Sequence, residues 1–142
     1  MIINIRELNE QAVIPTRGSA ASAGVDLYSC METEVSAGET VMVKTGLAVE
    51  IPEGYFGAVF ARSGLAAKAG LRPANCVGVI DSDYRGEVIV ALHNDSALPR
   101  KIEKGERIAQ MVIIPYLQVE FNETEDLSET ERQAGGFGST GK

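Results

Sequence analysis

The residues with the clearest capacity for chemistry stand at the end of the chain, where Gln133-Ala134 leads into Gly135-Gly136-Phe137-Gly138-Ser139-Thr140-Gly141-Lys142. Glycine lets backbone N–H groups converge on anionic oxygens. Ser139 and Thr140 add hydroxyl donors, Arg132 lies just upstream, and Phe137 offers a flat face for a base. That combination fits a mobile flap over a nucleotide; the plain alternative is a disordered glycine-rich tail. Gly136 to Lys142 also satisfies the GxxxxGK spacing of a phosphate-loop NTPase. The phosphate-loop motif needs a strand before it, a Ser or Thr after the lysine for Mg²⁺ and a helix facing the phosphates, whereas this sequence ends at Lys142. The NTPase reading is therefore set aside.

Four earlier clusters carry the remaining candidates: AGVDLYS at 23–29, ARSGLAAKAGL at 61–71, NCVGVIDSDYRGEV at 75–88 and RIAQMVI at 107–113. Asp81 ends the apolar run Val77-Gly78-Val79-Ile80 and enters a turn, where a carboxylate can orient a water at neutral pH. The competing reading is that Asp81 and Asp83 only cap a hairpin turn. Ser63 and the N–H groups around Gly64 open a helical segment, so dipole and unpaired donors favour an anion there; Ser63 also reads as a plain N-cap. Gln110 is an amide in an otherwise apolar strand and needs a partner, either a phosphate oxygen or an internal hydrogen bond. Asp26 supplies a hard oxygen without histidine neighbours, which suits Mg²⁺ rather than zinc.

These side chains need a scaffold, and the sequence writes it in strands. Ile2 to Arg6, Thr40 to Ile51, Tyr55 to Ala61, Glu87 to His93 and Arg107 to Ile114 are rich in Val, Ile and aromatic residues and bounded by Gly, Pro or Asn. Turn signals such as Pro52-Glu53-Gly54 and Lys104-Gly105 separate them. Only Ser63 to Ala69 predicts a helix, stopped by Gly70. The pattern implies an all-β sandwich, barrel or jelly roll rather than a βαβ sheet. With 44% apolar and 6% aromatic residues, its core should be aliphatic.

Composition limits what the chain can do. Its 142 residues fit one domain with an ordinary core. No apolar run approaches the roughly 18 residues of a membrane span, and Met1 leads into Ile2-Ile3-Asn4-Ile5 without a charged leader, so a soluble, unexported, cytoplasmic protein is expected. Cys30 and Cys76 form no CxxC pair and His93 is the single histidine, which excludes a structural zinc site and a Ser-His triad. Both cysteines read as reduced core thiols. The net charge of −7 argues against a nucleic-acid polymer as partner but not against a mononucleotide. Much of that charge sits in Glu120, Glu123, Glu125, Asp126, Glu129 and Glu131, a solvated linker before the tail. A small anionic ligand then needs local arginines or a metal ion.

The four clusters and RQAGGFGSTGK at 132–142 make five motifs, and in this order and at this spacing the sequence resembles the trimeric dUTP pyrophosphatase (dUTPase) family across nearly its whole length. The resemblance implies a distorted jelly-roll, β-barrel-like subunit with one short helix, assembling as a homotrimer whose sites draw on three chains. Residues 1–131 would form the domain, with an acidic linker at about 118–131, and 132–142 a flexible flap supplied in trans. The implied reaction is Mg²⁺-dependent hydrolysis of dUTP, with Asp81 as general base or as the group that positions water for attack on the α-phosphorus. Tyr84 would pack on the sugar and leave no room for a 2′-hydroxyl. Asn75, with backbone groups of its hairpin such as Gly78, would read uracil and exclude a 5-methyl group.

The resemblance also implies that Ser63 contacts the bridging region near the leaving group, beside Gly64, while Arg62 adds positive charge or braces a subunit contact. Gln110 would meet a phosphate oxygen, and Asp26 would reach the metal through water. Arg132, Ser139 and Thr140 would hold the γ-phosphate, with Phe137 stacked over uracil and Gly138 giving the flap its freedom to close. The nearest competing enzyme, dCTP deaminase, needs an acid/base carboxyl at the base itself, whereas this hairpin carries Asp81 and Asp83, with Glu87 in the strand beyond. A non-catalytic nucleotide-binding module is the alternative of a different class.

Overall fold

Val90, Leu92 and Asn94 are buried at every second position along one strand, continuing from Val88 just before it, and that period-two pattern is what makes the segment half-buried β structure. A computed structural model describes residues 1–136. Its elements are β1 (Asn4–Glu7), β2 (Val25–Tyr28), β3 (Thr33–Val35), β4 (Thr40–Lys44), β5 (Leu47–Glu50), β6 (Tyr55–Phe60), α1 (Ser63–Ala69), β7 (Leu71–Pro73), β8 (Gly78–Ile80), β9 (Ile89–Asn94), β10 (Arg100–Ile102) and β11 (Arg107–Pro115). The strands pair antiparallel into four small sheets, ordered β2-β11-β6-β8, β4-β9-β7, β1-β5 and β10-β3. They wrap one core of Leu27, Val35, Val43, Val49, Leu71, Val90, Leu92, Ile102, Ile108 and their neighbours, as aliphatic as the composition required. The all-β, β-barrel-like expectation holds. Among the described residues no helix is long and apolar enough to cross a membrane.

The four-stranded sheet carries the site. Asp26 on β2 pairs with Gln110 on β11, Gln110 pairs with Phe60 on β6, and Val59 pairs with Gly78 on β8. Gly57 on β6 is a close-approach residue: a Cβ there would stand 2.8 Å from Ile51 Cδ1 and 3.2 Å from Met111 Sδ, so its absence lets the core close over the strand.

Several local expectations need correction. Thr40 to Ile51 is two strands, because Gly46 adopts φ +70° and turns the chain from β9, the partner of β4, to β1, the partner of β5. Ser63 is not the N-cap; Arg62 holds that position with extended backbone and no side-chain cap bond, and Ser63 is the first helical residue. Gly70 does stop the helix, at φ 69°, donating its N–H to the Ala66 and Leu65 carbonyls. The cysteines are free but are not core thiols: Cys30 is half-buried and Cys76 is exposed in a left-handed conformation at φ 62°.

Buried polar groups are all partnered among the described residues. Asn94 donates to the Val35 and Leu98 carbonyls at 2.9 and 2.8 Å and accepts from the Ser96 N–H, fixing the end of β9. Beside it Arg72 binds Asp95 bidentately, Nε and Nη2 each donating to one carboxylate oxygen, and holds that carboxyl below its ordinary value.

Candidate functional site

A cavity of about 320 Å³ opens along the hairpin that follows β7, lined by Asn75, Gly78, Val79, Asp81 and Tyr84. Its shape follows from glycine and turn chemistry. At Gly78 a Cβ would press to 3.2 Å on Val59 Cβ and 3.4 Å on Asn75 Nδ2, so the bare backbone keeps Asn75 and β6 close. Cys76, with its positive φ, donates its N–H to the Pro73 carbonyl and makes the bend that presents Asn75. The Tyr84 N–H donates to the Asp81 carbonyl, closing the turn that carries both residues. Asp81 is exposed, and a second, wider cavity lined by Glu50, Glu53, Asp83 and Arg85 also reaches it.

A separate cavity of about 260 Å³ gathers Asp26, Arg62, Ser63, Gly64, Arg107 and Gln110. Arg62 Nε lies 2.8 Å from Asp26 Oδ1 and Arg107 Nη1 lies 3.4 Å from Asp26 Oδ2. Two guanidiniums thus face one carboxylate, so this corner of an acidic chain keeps a positive excess. Ser63 and Gly64 are exposed in the first turn of α1, where backbone N–H groups have no helical acceptor. Gln110 Nε2 donates to the Ala61 carbonyl at 2.9 Å, the internal bond foreseen as one of its two options, and its oxygen lies against Gly24. A Cβ at Gly24 would come within 2.8 Å of that oxygen, so a larger residue there would push the Gln110 amide from its place. Gly18, Ser22 and Gly24 close the side of the cavity on a loop that Arg17 ties together by donating to the Ser22 and Ala23 carbonyls.

The structure therefore brings together Asp26, Arg62, Ser63, Gly64 and Gln110, and separately Asn75, Gly78, Asp81 and Tyr84. No described residue lines both cavities. Of the β2-β11-β6-β8 sheet, the cavity at Asp81 draws on β8 and on Val59 of β6, the one at Asp26 on β2, β11 and Arg62 just beyond the end of β6. Arg132 folds back on its own segment, Nε donating to the Gly135 carbonyl at 2.7 Å. Phe137, Gly138, Ser139 and Thr140 lie outside the described residues.

Arg107 is the residue that sequence reasoning missed. Strict alternation puts residues 107 and 110 on opposite faces of β11, but the register with β2 shifts between Arg107 and Ala109. That one-residue irregularity turns Arg107 to the face of Gln110, and the consecutive burial of Ile108 and Ala109 is its signature.

Among the described residues no group of three His, Cys, Asp or Glu side chains could cage a metal ion. Both Asp26 oxygens already meet guanidiniums, so Asp26 would hold an ion only through water, with a ligand's phosphate oxygens as the main donors, the usual manner of Mg²⁺.

Fold and site define the class: an all-β, barrel-like domain equipped for a phosphorylated ligand. The dUTPase family model matches residues 10–141, and the chain belongs to the dUTPase family. It is 50% identical over 142 residues to the deoxyuridine 5'-triphosphate nucleotidohydrolase of Nautilia profundicola, covering 100% of both chains. The protein of the same name from Acinetobacter baumannii is 45% identical over 138 residues, covering 95% of this chain and 92% of the relative. Among solved structures, Staphylococcus bacteriophage 80alpha dUTPase with dUPNHPP matches with a TM-score of 0.93 and 31% identity over 99% of each chain. A mutant dUTPase of S. aureus phage phi11, described with a structural Mg(II) ion, matches with a TM-score of 0.83 and 28% identity, covering 89% of this chain and 98% of its own.

Proposed function

We propose that the protein hydrolyses dUTP to dUMP and pyrophosphate, limiting uracil incorporation into DNA and supplying dUMP for thymidylate synthesis. The observation that carries this reading is the pairing of a hairpin cavity bearing Asp81 with an arginine-lined anion cavity, in a chain of this family. Asp81 orients the water that attacks the α-phosphorus and takes up its proton. Asn75 and the backbone at Gly78 read the uracil edge, and the Tyr84 ring excludes a 2′-hydroxyl. Ser63, Gly64, Arg62 and Gln110 hold the phosphates; Arg107 adds the second positive charge there. Asp26 would hold a Mg²⁺ ion through water, and that ion would supply charge neutralisation on the triphosphate.

The active unit in this reading is a homotrimer with shared sites. Two observations support it. The base cavity and the anion cavity of one chain share no residue. The segment beyond β11, read from sequence as a solvated linker, also exposes Leu117, Val119 and Phe121 at 87%, 61% and 96%, an alternating apolar edge suited to lie on a neighbouring copy. Residues 132–142 then reach a neighbour's site as a flap, with Arg132, Ser139 and Thr140 on the γ-phosphate, Phe137 over uracil and Gly138 allowing closure.

The test is incubation with Mg²⁺ and each deoxynucleoside triphosphate plus UTP, with products separated chromatographically. Release of dUMP and pyrophosphate from dUTP alone is the expected result. Ammonia and a uracil nucleotide from dCTP would instead identify a deaminase, and dUTP binding without turnover would identify a binding module.

A further inference from the structure

The Tyr84 ring is held by two residues that follow its turn, Gly86 and Glu87, the latter itself lining the cavity. The Tyr84 hydroxyl donates to the Glu87 carbonyl at 2.9 Å. The hydroxyl end of the ring lies against Gly86, where a Cβ would stand 2.5 Å from Cζ and 2.9 Å from Cε2. Gly86 has no positive φ, so its backbone accepts any L residue; what requires glycine there is the ring alone. Glu87 is anchored in turn: its Oε1 accepts the Gly46 N–H at 2.8 Å in a half-buried setting. The next residue is fastened to the same place, with the Thr45 hydroxyl donating to the Val88 carbonyl at 2.6 Å and the Val88 N–H donating to the Leu47 carbonyl at 2.7 Å. Gly46 is itself fixed by the Leu8 N–H, which donates to its carbonyl at 2.7 Å. The hydroxyl's acceptor therefore stands on a backbone pinned to the β4–β5 junction.

We propose that Gly86 and Glu87 are positioning residues that set discrimination between 2′-deoxyribose and ribose by fixing the Tyr84 ring. This rests on the dUTP-hydrolysing reading above. A ring that excludes one hydroxyl must be held to a fraction of its own thickness; loosening the Glu87 anchor lets it retreat, a Cβ at Gly86 drives it off its resting place, and either change spoils the fit that excludes the extra oxygen. Glu87 acts through its carboxylate on Gly46, Gly86 through the absence of a side chain.

The experiment compares kcat/KM for dUTP and for UTP in the wild type, Glu87→Ala, Glu87→Gln and Gly86→Ala, with thermal unfolding recorded for each. The dUTP-to-UTP ratio should fall by roughly ten-fold or more in Glu87→Ala and Gly86→Ala. Glu87→Gln keeps an acceptor for Gly46 and should recover the ratio. A merely structural role would lower both substrates together, and an unchanged ratio in a wild-type background that discriminates overturns the proposal. If Glu87→Ala does not accumulate as folded protein, Gly86→Ala decides by the same criterion. A wild type that does not hydrolyse dUTP overturns the underlying reading, and this proposal with it.

Discussion

Arg62, just beyond β6, and Asp26 on β2 form an ion pair across the full width of β11, Nε to Oδ1 2.8 Å, with side chains only 29% and 13% exposed. The pair fixes a guanidinium at the mouth of the anion cavity and leaves Arg107 to share the second carboxylate oxygen. Asp26→Asn removes the charge both arginines face. The expected outcome is a loss of about 2 kcal/mol of stability, the size of a charged hydrogen bond in a partly buried setting. A higher Mg²⁺ concentration for half-maximal turnover should accompany it. Denaturant unfolding and a Mg²⁺ titration of initial rates check the two effects separately.

Asp81→Asn separates chemistry from binding. The side chain is exposed and has no hydrogen-bond partner among the described residues, so unfolding should shift by no more than about 0.5 kcal/mol. Turnover should fall by roughly 10²–10⁴-fold, the range for loss of a general base. Calorimetry with a non-hydrolysable dUTP analogue should show binding retained.

Truncation before Gly135 should cost activity without costing the fold. Residues 116–134, which lead up to the cut, are exposed throughout and make no sheet. The expected outcome is a drop in dUTP turnover with the thermal transition in place; a truncated protein with full activity would remove the flap from the mechanism.

The Arg72–Asp95 pair predicts a pH dependence. Its guanidinium holds the Asp95 carboxyl below the ordinary 3.8, first by hydrogen bonding. A depressed folded value means the contribution is complete above the unfolded value and disappears as pH falls through the folded one, hence below about pH 4. Both side chains are more than a third exposed, so the effect is small and weakens with salt. Asp95→Asn should flatten the acid side of the stability profile relative to the wild type, measured by unfolding midpoints from about pH 2 to about pH 5.

The sequence by itself determined the features that local chemistry encodes. β-branched runs between turn residues determined an all-β domain, and Ser63 to Ala69 before Gly70 determined the one helix with its left-handed stop. The five clusters determined which side chains were available, because residue type and spacing are properties of the chain alone. Three-residue strands such as β3 and β10 were not legible, being too short for a period to show.

Tertiary structure decided which of those side chains meet. Arg107 joins Gln110 only because β11 slips by one residue against β2, an event of pairing that β11 itself marks only by its adjacent apolar pair Ile108-Ala109. Gly46 ends β4 through a backbone angle, and Gly86 matters only because the Tyr84 ring comes to rest on it. The separation of the base cavity from the anion cavity follows from strand order, which is set when distant segments bury a common core. Faces and neighbours depend on register between segments far apart in sequence, and register is a property of the folded whole.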